Sequence, residues 1–151
     1  MGWWKSFRHK LETAQGLSLG DWLVLAETWW VLLGVRLALR WMPFERLVAT
    51  IQPIAEENGG QGDALAWAWH RQKLVSLAAR YHIPPMTCLP RAVTLQWMAS
   101  RRKLPSRLCI GVSKTNVGRY AHAWVEMQGE NIGEPGDIAE RFVRLDPAGG
   151  R

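Results

Sequence analysis

The periodicity of this chain switches once, at Pro105, and that switch limits its architecture more than any other feature. Before it, apolar residues recur at helical spacing: Trp22, Leu25, Ala26, Trp29, Trp30, Leu33 and Leu37, then Leu65, Trp69, Leu74 and Leu77, then Val93, Leu95, Trp97 and Met98. After it, Arg107 to Ser113 and Tyr120 to Met127 alternate, the second run placing His122, Trp124 and Glu126 on one face and Ala121, Ala123, Val125 and Met127 on the other. Helices first and an antiparallel sheet afterwards predict an α+β fold. The 151 residues suit one compact body with a helical N-terminal layer.

Punctuation divides the helical part. Leu19-Gly20-Asp21 offers a cap for the first helix, and Pro43 interrupts it before a short helix from Glu45 to Ile51. Residues 56–63, with three glycines among polar side chains, read as a linker between an N-terminal layer, 1–55, and a core, 64–151. Asp63 can cap the helix Ala64 to Tyr81, which Pro84-Pro85 ends. Thr87 is placed as an N-cap, Cys88 falls in the first turn, and Pro90 is tolerated there because first-turn N–H groups lack intrahelical partners. Beyond the strands, Gln128-Gly129-Glu130 reads as a hairpin turn and Asn131 to Gly133 as its return. Asp137 to Phe142 reads as a helical turn, and Val143 to Leu145 as a last strand.

Composition narrows the chemistry. Two cysteines make no disulfide framework, and Cys109, in an apolar strand, reads as a small buried hydrophobe. No CxxC or HxxxH spacing occurs, so neither a metal site nor a cofactor is expected. The net charge of +6 fits an acidic ligand, but the basic residues are spread out with no nucleic-acid-binding motif, so nucleic acid is not an expected partner. The N-terminus shows no secretory pattern, which predicts a cytoplasmic protein. Between Asp21 and Phe44 the longest charge-free stretch runs only from Thr28 to Val35, so a buried or partner-facing helix is expected there, not a membrane span.

Cys88 is the residue with the strongest chemical context. A thiol at a helix N-terminus meets unpaired N–H groups and the positive end of the helix dipole, which favour a thiolate and can also hold an oxyanion. Of the four histidines, His9 lies in a charged segment, His70 within a helix and His82 in a loop. His122 alone is on a strand that can cross in front of the Cys88 helix, where it can exchange the thiol proton. A structural histidine packed on Trp124 is the competing account. A third group should orient the imidazole. Glu134, just past the hairpin partner strand, is favoured, and Asp146 is the alternative. Glu126 shares the His122 face but sits about 13 Å along the strand, so it is expected to be structural, paired with an arginine.

Cys88-Leu89-Pro90-Arg91-Ala92 with Leu95 and Trp97, Arg101-Arg102, Ile110-Gly111-Val112, His122-Ala123-Trp124-Val125-Glu126, and upstream Arg36-Leu37-Ala38-Leu39 with Pro43-Phe44 together resemble the transglutaminase-like cysteine-protease superfamily. Within it, the chain is similar to the short-form lasso-peptide maturation B proteins from about residue 20 to its end. The resemblance implies a papain/transglutaminase-like core and a leader peptidase with a Cys88, His122 and Glu134 (or Asp146) triad. It implies cleavage of a ribosomally made precursor at its leader peptide, with a separate leader-recognition protein supplied in trans and a macrolactam cyclase acting next. The family's third member is usually Asp, so Glu134 would be a departure. Trp22, Trp29, Trp30 and Trp41 would then dock a partner or the leader. Interception of the acyl-enzyme by an amine, as in a transglutaminase or amidase, and a non-catalytic adaptor of the same fold are the competing functions.

Overall fold

A computed structural model describes residues 18–51, 61–83, 86–114, 120–133 and 138–145. Helix α1 (Leu19–Trp41) is followed by α2 (Phe44–Ile51), α3 (Gln61–Arg80) and α4 (Cys88–Arg101). Strands β1 (Arg107–Ser113), β2 (Ala121–Met127) and β3 (Glu130–Ile132) come next, then a single turn α5 (Ile138–Arg141) and strand β4 (Phe142–Leu145). The expected α+β order is therefore present: four helices, then a small antiparallel sheet.

The helix starts differ from expectation in two places. Ser18, not the Leu19–Asp21 segment, caps α1. Its hydroxyl accepts from the Asp21 amide at 3.1 Å while the Asp21 carboxylate accepts from the Ser18 amide at 3.0 Å, a reciprocal capping box. Helix α3 begins at Gln61, so Asp63 sits in its first turn and the last three residues of the expected linker are helical. An acidic side chain is equally at home there, because the first turn is the positive end of the helix dipole. Residues 56–60 lie outside the described residues.

Helix α4 ends as the sequence suggests. Lys103 takes a left-handed conformation (φ 55°), and the Leu104 amide donates back to the Ala99 carbonyl at 3.0 Å, turning the chain into β1. The buried Gln96 ties the same corner, donating to the Ser106 carbonyl at 3.1 Å.

The sheet order is β3-β2-β1-β4, all pairs antiparallel. Gln128 and Gly129 both have positive φ, the requirement of the tight turn that matches the twist of a two-residue hairpin. The two sheet faces bury different residues. Ala123, Val125, Met127, Leu108 and Ile132 join α4, α2, α3 and Val35 of α1 in the main core. Cys109, Trp124, Ile138 and Phe142 form a second cluster on the opposite face. The expected alternation of β2 is thus observed, with Trp124 on the face away from the helices.

Helix α1 packs on α3 and α4 through Thr28, Leu32 and Val35, and His70 of α3 pairs with Asp21 at 2.9 Å. Most of its remaining surface is open. An 18-residue window of the 23-residue α1 reaches a mean hydropathy of 1.5, so the helix is long and apolar enough to cross a membrane by length and composition alone, although four charged side chains lie along its full length.

Candidate active site

Cys88 is the first residue of α4, preceded by Thr87 in extended conformation (φ −74°, ψ 178°). Thr87 occupies the N-cap position as expected, but its side chain makes no capping bond. The amides of the first turn are therefore not satisfied by that hydroxyl, and the Cys88 side chain stands beside them. The thiol is partly buried, and its Sγ lies 3.9 Å from the carbonyl oxygen of Ala121, the first residue of β2.

His122 follows directly on that strand. Its ring stacks against Phe142 (centroids 5.2 Å apart, planes at 29°) and Trp124 (6.2 Å, 20°). Gly111 is the cross-strand partner of His122. A Cβ on Gly111 would meet Trp124 and the Phe142 Cβ at 3.0 Å, so the absent side chain is what lets both rings pack behind the imidazole. His122 is thus packed on Trp124, as the structural account required. It also lines one small cavity together with Cys88. That cavity measures about 20 Å³, close to the space of a single water.

The sequence reading missed two residues of that cavity, Gln72 of α3 and Arg91 of α4. The Gln72 carboxamide rests directly on Gly133, which has φ 84° and where any Cβ would land inside the Gln72 side chain. Arg91, one turn after Cys88, donates from Nη2 to Ser76 Oγ at 2.7 Å. Arg91 could have been found from its spacing, since positions i and i+3 share a helix side. Gln72 has no local signal, because only the packing of α3 against α4 and β3 brings it there.

The acid of the expected triad is not located. Glu134 and Asp146 both lie outside the described residues. Strand β3, which precedes Glu134, pairs with β2, whereas β4, which precedes Asp146, pairs with β1. Glu126 behaves as expected for a structural residue. Its carboxylate accepts from Arg144 Nη2 at 2.6 Å, and Arg144 also donates to Cys109 Sγ. Cys109 is buried, and burial pushes its thiol above the usual range, partly offset by the Arg144 bond. The burial and the net upward shift fit a packed thiol rather than a reactive one.

The other two histidines among the described residues are engaged elsewhere, and His9 lies outside the described residues. His70 holds Asp21, and buried His82 stacks on Trp29 (centroids 4.7 Å, planes at 22°). Of the four tryptophans expected to dock a partner, Trp22, Trp30 and Trp41 are well exposed, while Trp29 is partly engaged by His82 and Trp30. Among the described residues, no group of three or more His, Cys, Asp or Glu side chains is placed to hold a metal ion.

Compared with known proteins, residues 29–145 match a family model described as the Transglutaminase-like superfamily. No curated protein and no solved structure matches.

Proposed function

The chain belongs to the transglutaminase-like superfamily, whose chemistry is of the cysteine-protease or acyl-transfer type, and we propose that it is a cysteine peptidase removing the leader from a ribosomally made lasso precursor. One observation carries the thiol chemistry: Cys88 opens α4, touches the first residue of β2, and shares its cavity with His122 of that strand. The lasso substrate rests on the motif resemblance in the Cys88 and His122 segments.

The chemistry follows from these positions. His122 takes the Cys88 proton, and the sulfur attacks the carbonyl carbon at the leader–core junction. The oxyanion that forms is met by the amides at the start of α4, which the Thr87 side chain does not cap, with the Gln72 carboxamide as a neutral donor in the same cavity. Collapse breaks the C–N bond. His122 returns its proton to the departing core amine, and the leader stays on sulfur as a thioester. Water, deprotonated by His122, then releases the leader acid and regenerates the thiol. Glu134, or Asp146 in its place, would fix the imidazole through its second nitrogen.

The freed amine is the group that a macrolactam cyclase joins to a side-chain carboxylate. A leader-recognition protein would present the precursor in trans in the cytoplasm, docking on the tryptophan-rich surface of α1. Mass spectrometry of a candidate lasso precursor incubated with the protein and its recognition partner tests this reading. Cleavage at the leader–core junction that vanishes in Cys88→Ala supports it. A bound but uncut leader with folded protein favours the adaptor alternative.

A further inference from the structure

A larger groove adjoins the cavity at Cys88. It encloses about 750 Å³, inside the roughly 300–1,000 Å³ of ligand sites, and Gln72 and Arg91 line both spaces. Its polar wall is cationic. Lys73 and Arg80 project from α3, with Ser76 and Leu77 between them, so the four follow the i, i+3, i+4, i+7 stripe of one helix face. Arg91 joins them from the first turns of α4. No aspartate or glutamate is among the described lining residues. The carboxylate bonded to a lining residue, that of Glu130, accepts from the Trp69 indole at 3.3 Å.

These charges are not neutralised by a described carboxylate. Among the described residues, neither Lys73 nor Arg80 makes a salt bridge. Arg91 spends Nη2 on the Ser76 hydroxyl, while its buried Nε has no partner among the described residues. Three like charges around one depression repel one another, and low-dielectric walls concentrate their field on whatever enters. The Trp69, Leu77 and Met86 side chains give the same groove apolar surface. A carboxylate on a short chain with some apolar body answers both features. A bare polyphosphate would leave the apolar wall unused.

Resting on the peptidase reading, we propose that this groove is the subsite for an acidic residue of the peptide substrate, with Lys73, Arg80 and Arg91 receiving its carboxylate beside Cys88. The preferred substrate therefore carries Asp or Glu close to the scissile bond.

Cys88 itself reports on the groove. Iodoacetate and iodoacetamide alkylate the same sulfur and differ in charge, and glutathione supplies the reference ratio of their rates. At fixed pH and low salt, the proposal expects an iodoacetate-to-iodoacetamide ratio at Cys88 at least about threefold above that of glutathione, falling as sodium chloride is added. In Lys73→Gln/Arg80→Gln the ratio should fall toward the reference. The peptide acetyl-Gly-Glu-Gly-amide should slow alkylation more than its Gln counterpart. A ratio equal to that of glutathione, or one untouched by the double substitution, overturns the proposal. So does stronger protection by a single-stranded oligonucleotide than by the acidic peptide, which would give the groove to phosphate. The peptidase reading fails separately: Cys88 would then react with neutral iodoacetamide no faster than glutathione, whatever the ratio.

Discussion

Helices α1 and α4 contrast apolar composition with burial. Helix α1 is the more apolar, yet only Thr28, Leu32 and Val35 are buried along its 23 residues, and Trp30 and Trp41 remain 67% and 84% exposed. Helix α4 is far less apolar, yet eight of its 14 residues are buried, polar Thr94 and Gln96 among them. The difference is positional. Helix α4 lies between the sheet and the other helices, so every face meets protein, whereas α1 covers that assembly from one side. A reactive group on α4 is held by packing from all sides, as a preformed site needs. An apolar group on α1 is available to something else.

The first prediction concerns what α4 carries. Cys88→Ala should lower precursor cleavage by about 10³-fold or more, His122→Ala by a similar order, and the double variant no further, because residues acting as one unit are not additive. Mass-spectrometric rates check this; an additive double variant would separate the two residues. Next comes packing. Leu95→Ala, fully buried in α4, should cost roughly 2–5 kcal/mol in urea unfolding, whereas Trp30→Ala on α1 should stay within about 0.5 kcal/mol. Equal losses would erase the contrast between the helices. If Trp30→Ala leaves stability intact but weakens capture of the recognition protein, the contrast acquires a function.

Smaller effects probe the supports. Gly111→Ala should cost about 1–3 kcal/mol, because its Cβ meets Trp124 and Phe142 at 3.0 Å in a packed cluster. It should also slow Cys88 chemistry by shifting the rings behind His122, with unfolding and alkylation rates read together. The smallest concerns the cap of α1. The Ser18 amide bond, then the Ser18 hydroxyl and His70, hold the Asp21 carboxyl below its ordinary 3.8. A lowered folded pKa gives stability that is present above the ordinary value and lost as pH falls through the lowered one. Asp21→Asn should remove that slope from the acid limb of a stability–pH curve, leaving the limb above neutrality unchanged.

Much of this was legible in the sequence because it depends on local chemistry. The change of period at Pro105, the Gln128-Gly129 hairpin, the α4 start at Cys88, the burial of Cys109 and the pairing of Glu126 with an arginine each need only neighbours along the chain or across one strand. The remainder depends on packing between distant segments. Gln72 reaches the cavity only because Gly133 lacks a Cβ, and β4 returns to β1 rather than to the hairpin. The exposure of α1 was open from its composition, since a wide apolar face suits a core or a partner equally. Ser18 was passed over because Asp21, its reciprocal partner, carries the more conspicuous charge.

The central claim is that Cys88 is a nucleophile served by His122. The most direct test is the second-order rate of Cys88 with iodoacetamide at pH 7, with the site confirmed by peptide mapping, in the intact protein and in His122→Ala. The account predicts a rate at least about tenfold above that of glutathione, falling toward it in the variant. A Cys88 that reacts like glutathione, equally with and without His122, would contradict it and leave the fold as a binding scaffold.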